Sequence, residues 1–113
     1  MTTEDFVQLF WQEKCEAVST YRNEQAGSAV AAQIAAMGLN AAQLEQMHAV
    51  INTALTDTCY TILLALDGCA SLGGVQQNYL VKDASGDIVC SGDGELEALA
   101  FEYFHGSKGA SGT

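Results

Sequence analysis

A single helical segment of unusual length runs through the middle of the sequence. It begins at Asn40, a good N-cap residue, and Gln43 three positions later completes a capping-box pattern. Apolar residues then recur at three- and four-residue steps until Asp67-Gly68. A helix of about 27 residues is roughly 40 Å long. Its second half, CYTILLALDG, is apolar on every side, which predicts that this end forms the buried centre of the fold.

Shorter helices are predicted on both sides of this segment. The first runs from a cap at Thr2 or Thr3 to about residue 25, with apolar residues on one face. The second is an alanine-rich stretch over residues 29–37, capped by Ser28. The last covers residues 95–104, with residues 91–93 offering its caps. The chain contains no proline, so its glycines mark the breaks between helices.

Residues 78–91 have the pattern of a β-hairpin. An apolar strand at 78–82 is followed by the turn residues 83–87, in which Gly86 supplies the positive φ that such a turn needs, and by a return strand at 88–91. The predicted fold class is therefore α+β: two helices, a long helix, a two-stranded antiparallel hairpin packed on the helices, and a C-terminal helix. The 113-residue chain reads as one domain over residues 1–105 with a flexible Gly/Ser-rich tail at 106–113.

Charge is the strongest compositional signal. Fourteen acidic residues against four basic ones give a net charge of −10 and a pI near 4.2. Nucleic acids and anionic membranes repel such a chain, whereas basic proteins are attracted to it. Residues 83–102 contain six acidic residues and no basic one. These acids form the candidate partner-binding face: Asp83, Asp87, Asp93, Glu95, Glu97 and Glu102. The simpler interpretation is that the charge serves solubility.

Cysteines and histidines do not form a metal-site pattern. The four cysteines include no C-x-x-C pair, and the sequence has two histidines, so no zinc site and no metal is expected. The N-terminal residues lack the features of a signal peptide, and no apolar run approaches the ~20 residues of a membrane span. We therefore expect reduced thiols, no membrane association and a cytoplasmic location.

No catalytic residue or cofactor is predicted. The glycine-rich stretch 68–74 lies between a helix and a strand and has no nearby base, unlike a phosphate-binding loop. The acids of the hairpin turn miss the register of a calcium loop. If a ligand pocket exists, we expect it between the long helix and the hairpin, and its candidate residues are His48, Cys59, Tyr60, Cys69 and Tyr79.

Two functions remain open from the sequence. The favoured one is a non-catalytic protein-interaction domain, in its most specific form an acidic inhibitor of the immunity or antitoxin type that holds a basic partner. The alternative is a small-ligand-binding protein or an enzyme that uses the pocket between the long helix and the hairpin. A two-stranded hairpin also has open edges, which predicts self-association through a hairpin edge.

Overall fold

The computed structural model describes residues 1–111 and confirms the α+β fold class. The elements of this part of the chain are α1 (Thr3–Arg22), α2 (Ala29–Ala36), α3 (Ala41–Leu66), β1 (Val81–Lys82), β2 (Ile88–Cys90), α4 (Glu95–Phe104) and α5 (Lys108–Ser111). A short 3-10 turn, Glu24–Ala26, links α1 to α2. The order of helices and hairpin is the predicted one, with α5 added at the end.

Side-chain caps fix where the first three helices begin. The Thr2 hydroxyl accepts a hydrogen bond from the Asp5 N–H at 3.0 Å, and the Asp5 carboxylate accepts one from the Thr2 N–H at 2.9 Å. The same reciprocal pair joins Asn40 and Gln43 at the start of α3. The Ser28 hydroxyl caps α2 by accepting a hydrogen bond from the Ala31 N–H at 3.1 Å, without a reciprocal bond. The capping box at Asn40 and the cap at Ser28 are the predicted ones, and Thr2 is one of the two cap residues predicted for α1.

The hairpin is antiparallel and shorter than expected. Its register places Val81 opposite Cys90 and Lys82 opposite Ile88, with an irregularity between the two pairs. Gly86 has a φ of 93°, the left-handed conformation predicted for this turn. The first strand does not start at residue 78, because the Tyr79 N–H donates to the Leu66 carbonyl at the end of α3 (3.2 Å). Tyr79 is therefore hydrogen-bonded to the end of α3, and pairing within the hairpin begins at Val81.

The hydrophobic core forms where α1, α3, α4 and β2 meet. Its buried members are Val7, Leu63, Cys90, Leu96, Ala100, Tyr103 and Phe104. The rings of Trp11 and Phe104 meet edge to face with their centroids 5.1 Å apart, a preferred geometry for buried aromatic pairs. In the second half of α3, Leu63 and Ala65 are buried while Thr61 is exposed. This half of α3 therefore reaches the core along one side rather than on every side.

The start of α4 is capped from the end of α3. The N-cap residue, Gly94, has no side chain to offer. The Asp67 carboxylate, which is 3% exposed, accepts hydrogen bonds from the N–H groups of Gly94 (3.3 Å) and Glu97 (3.0 Å). Asp93 accepts one from the Glu95 N–H at 3.0 Å. The expectation that residues 91–93 cap α4 is thus met only by this local bond, and the buried cap comes from Asp67.

The first half of α3 extends away from the core. The molecule measures 47 × 30 × 27 Å and has a radius of gyration of 16.2 Å, whereas a compact domain of this length has about 13 Å. Two contacts hold α3 to α1 in this region: Arg22 pairs with Glu45 at 3.1 Å, and the buried Lys14 donates to the Asn52 side chain at 3.1 Å. Val50 is 63% exposed, so much of this half of α3 faces solvent.

Helix α3 contradicts the expectation that no segment of the chain is long and apolar enough to span a membrane. By length and composition it is apolar enough to cross a membrane, with a mean hydropathy of 1.4 over its most apolar 18-residue window. One such helix is weak evidence for a membrane span, because the test rests on length and composition alone, and 11% of this window is buried in the folded chain. The packing of α3 against α1 and α4 is consistent with a soluble protein.

The packed fold extends beyond the predicted boundary at residue 105. Lys108 is the first residue of α5, and its ammonium group lies 2.9 Å from the Glu4 carboxylate and 3.2 Å from the Glu102 carboxylate. Gly109 is buried against the Trp11 ring, with no room for a side chain. Residues 112–113 of the predicted tail lie outside the described residues.

Candidate protein-binding site

The six acids of the predicted face fall into two places. Asp83 and Asp87 belong to the hairpin turn, where their carboxylates lie 2.6 and 2.9 Å from the N-terminal ammonium group of Met1. Hydrogen bonds from that group and from Ser85 hold the pKa of Asp83 well below its usual range. The two carboxylates together raise the pKa of the Met1 amine to about 10. These two acids share one positive charge, so the three groups together keep one net negative charge within the turn.

The other four acids lie on α4 and the residue pair before it. Asp93 and Glu95 stand at the N-terminal end of the helix, and both are exposed. Glu97 and Glu102 face a shared groove further along. Glu102 pairs with Lys108, while Asp93, Glu95 and Glu97 form no ion pair with any residue in the range 1–111. The helix thus carries three uncompensated carboxylates in its first turn or just before it.

The groove on α4, which we call the α4 groove, combines the carboxylates of Glu97 and Glu102 with aromatic rings. It has a volume of about 430 Å³ and is lined by Tyr60, Gly94, Glu97, Ala98, Phe101 and Glu102. Phe101 is 54% exposed, although it is large and apolar. Beside it, the His105 ring meets the Tyr60 ring edge to face with centroids 4.6 Å apart. Burial, and then the negative charge of Glu97, raises the pKa of Tyr60.

The predicted pocket residues do not converge on one cavity. His48 is buried in the first half of α3, and its Nδ1 atom has no hydrogen-bond partner among the described residues. Tyr60 lines the α4 groove. Cys69 is exposed, and its thiol donates to the Glu97 carboxylate at 2.9 Å. Tyr79 contributes backbone bonds: its N–H donates to the α3 terminus, and its carbonyl accepts from the Cys90 thiol at 3.7 Å.

An apolar cavity does lie beside the hairpin, but its wall comes mainly from α1 and the hairpin rather than from α3. Its volume is about 360 Å³, and its lining residues are Met1, Phe6, Leu9, Phe10, Glu13, Cys59, Val81, Lys82, Asp83 and Val89. Of the five residues that the sequence suggests for a pocket, Cys59 is the one that it contains. The sequence gives no signal for this cavity, because the apolar residues of α1 read equally well as core positions.

Asp67, Cys69 and Glu97 are brought together, with ligand atoms within 4.8 Å of one another. Two carboxylates and a thiol this close together are potential ligands of a metal ion. Both oxygens of Asp67 already accept backbone N–H bonds. The hydrogen bond to Glu97, together with burial, raises the pKa of the Cys69 thiol to about 11. Metals bind the thiolate, which this environment disfavours, so we interpret the cluster as the junction between α3 and α4.

The Cys69 thiol is expected to react slowly with iodoacetamide. A pKa of about 11 in place of 9.0 leaves roughly one hundredth as much thiolate at pH 8. In Glu97→Gln the neighbouring carboxylate is removed at nearly constant shape, so the pKa should fall and alkylation at pH 8 should accelerate about tenfold. Peptide mass spectrometry of Cys69 over time measures the rate, with Glu95→Gln as the matched control. Equal rates in Glu97→Gln and the wild type would contradict this assignment.

Comparison with known proteins gives no relative for this chain: no protein-family model, no curated protein and no solved structure matches it.

Proposed function

We propose that this chain is a non-catalytic protein-interaction domain whose α4 groove binds a basic protein partner. The observation that carries the proposal is the exposure of Phe101, 54% open to solvent, between the carboxylates of Glu97 and Glu102. Aromatic side chains at the centre of an interface commonly supply much of the binding energy. In this proposal Phe101 supplies binding energy at the centre of the interface, and the surrounding acids select a basic partner.

The charge of the molecule supports a basic partner. A net charge of −10 attracts cations from a distance and speeds their association. Of the three uncompensated acids, Glu97 lines the groove, and Asp93 and Glu95 flank Gly94, which also lines it, so the long-range attraction acts close to the contact surface. Asp83 and Asp87, whose carboxylates are paired with the Met1 amine, are left out of the proposed surface.

Binding without chemistry fits the placement of the two histidines. His48 is buried and has no acid or thiol hydrogen-bonded to it among the described residues, and the His105 ring meets the Tyr60 ring edge to face. Neither arrangement resembles a nucleophile activated by a base. The most specific version of the proposal is an inhibitor of the immunity or antitoxin type that covers a basic toxin. The alternative, a small-ligand-binding protein or an enzyme with a pocket between the long helix and the hairpin, has less support as an enzyme, because Cys59 is the one candidate residue that lines the cavity beside the hairpin and no histidine in the range 1–111 lines it.

We propose a cytoplasmic setting for this interaction. Cys15, Cys59, Cys69 and Cys90 are all free thiols. Proteins of reducing compartments keep their thiols in this form. Self-association through the hairpin edge stays a prediction, and sedimentation equilibrium of the purified chain checks it.

Loss of Phe101 is expected to weaken partner binding strongly. Affinity capture from a lysate of the source cells at about 50 mM salt should yield a basic protein, and Phe101→Ala should bind the purified partner roughly thirtyfold more weakly, as for a hot-spot residue. Raising the salt to about 300 mM should slow association, because screening removes the long-range attraction. Isothermal titration and stopped-flow kinetics measure the two effects.

The control is Val50→Ala, which removes an equally exposed apolar side chain from the first half of α3. It should leave the affinity within about twofold of the wild type. A partner that binds Phe101→Ala and wild type equally, or whose association rate does not depend on salt, is inconsistent with the proposed surface. A partner lost by Val50→Ala instead would move the interface to α3.

A further inference from the structure

The apolar cavity beside the hairpin is a second concave surface, separate from the α4 groove. It has a volume of about 360 Å³ and shares no lining residue with that groove. Its floor and walls come from three elements: α1 contributes Phe6 and Phe10, α3 contributes Cys59, and the hairpin contributes Val81 and Val89. Small-molecule sites are typically such clefts of about 300–1,000 Å³ with mostly apolar linings.

The inner lining has no strongly polar side chain. The Phe6 and Phe10 rings lie with centroids 5.8 Å apart on one side, and Val89, which is 1% exposed, closes the cavity towards the core. Burial raises the pKa of the Cys59 thiol, as expected for a neutral group in apolar surroundings. A cavity of about 150 Å³ with apolar walls holds one benzene molecule. The present cavity therefore has room for a ligand of roughly two fused or linked rings.

Charges at the mouth balance each other. Lys82 and Glu13 stand at the rim with opposite signs. Asp83, the third rim residue with a charge, is paired with the Met1 amine at 2.6 Å. The charges of the lining residues, with the Met1 amine included, therefore sum to zero, and the net charge of −10 on the whole chain disfavours anions. These features favour a neutral ligand over an anionic one.

We propose that this cavity binds a neutral, apolar small molecule of about two aromatic rings or an acyl chain of equal volume. Filling it would remove from water the apolar walls that are now exposed, the main driving force for such binding. At the mouth, Leu9 is 51% exposed and Met1 is 40% exposed, so both are placed to cover a bound ligand. The inference does not depend on the α4 groove.

N-Phenyl-1-naphthylamine is the probe for this proposal, because it is neutral, carries a two-ring naphthalene group of the proposed size with a phenyl ring that can extend through the open mouth, and fluoresces more strongly in apolar surroundings. We expect saturable binding of one probe per chain with a Kd on the order of 10 µM. Its 8-sulfonate derivative has the same ring system with one negative charge. It should bind at least fivefold more weakly. Absence of saturable binding, or tighter binding of the sulfonate, would overturn the proposal.

Two variants locate the bound probe. Val81→Phe places a ring in the cavity and should weaken probe binding at least tenfold, whereas Val50→Phe makes the same change on the exposed face of α3 and should leave it unchanged. Leu9→Gln removes an apolar group at the mouth without altering a buried position, and a threefold loss is expected even if Val81→Phe folds poorly. Equal binding by the wild type and Leu9→Gln would place the probe elsewhere and overturn the proposal, as would a loss in Val50→Phe equal to that in Val81→Phe.

Discussion

Replacing Leu63 with alanine is expected to lower the free energy of unfolding by about 3 kcal/mol. Leu63 is fully buried at the point where α1, α3, β2 and α4 meet. Truncation removes apolar surface from the core and leaves a cavity that the surrounding helices fill only in part. Because domains of this size have total stabilities of roughly 5–15 kcal/mol, a single such change removes a large share. Urea denaturation followed by circular dichroism measures the loss.

The matched control for this prediction is Leu80→Ala. Leu80 is 61% exposed just before β1, so the same truncation should change the free energy of unfolding by less than about 0.5 kcal/mol. Similar losses for the two variants would mean that the junction of the four elements is not the structural centre of the molecule. A large loss for Leu80→Ala alone would instead indicate that Leu80 is covered in solution, as self-association through the hairpin edge requires.

Local features of this fold could be predicted from the sequence, because the interacting residues are near one another in the chain. The capping boxes at Thr2 and Asn40 and the left-handed glycine of the hairpin turn depend on spacings of a few residues. The length of α3 follows from its periodicity in the same way. The solvent exposure of its first half could not be predicted, because an apolar segment does not reveal how many neighbouring elements will cover it.

The candidate site was predictable only in part for the same reason. The acids of α4 stand out in the sequence, but the ion pairs of Asp83 and Asp87 with the Met1 amine join residues more than eighty positions apart. The α4 groove needs Tyr60 of α3 beside Phe101, which no short spacing indicates. The helical pattern alone also does not separate Phe101, which is 54% exposed, from its buried neighbours Tyr103 and Phe104.

The cap of α4 is the clearest case of a long-range contact that sequence spacing hides. The sequence marks Asp67 only as the end of α3, and the obvious cap residues before α4 lie at 91–93. In the folded chain the Asp67 carboxylate instead crosses to the N-terminus of α4, where it accepts the N–H groups of Gly94 and Glu97. A carboxylate is well suited there, because the N-terminal end of a helix carries partial positive charge.

Asp67→Ala is therefore expected to lower the free energy of unfolding by about 3 kcal/mol, since it leaves two helix N–H groups without their acceptor in a buried setting. Asp93→Ala, which removes the exposed local bond to the Glu95 N–H, should cost less than about 1 kcal/mol. Denaturation measures both, and amide hydrogen exchange at Glu97 should accelerate in Asp67→Ala alone. Comparable losses in the two variants, or an unchanged exchange rate at Glu97, would show that α4 does not depend on the carboxylate from α3.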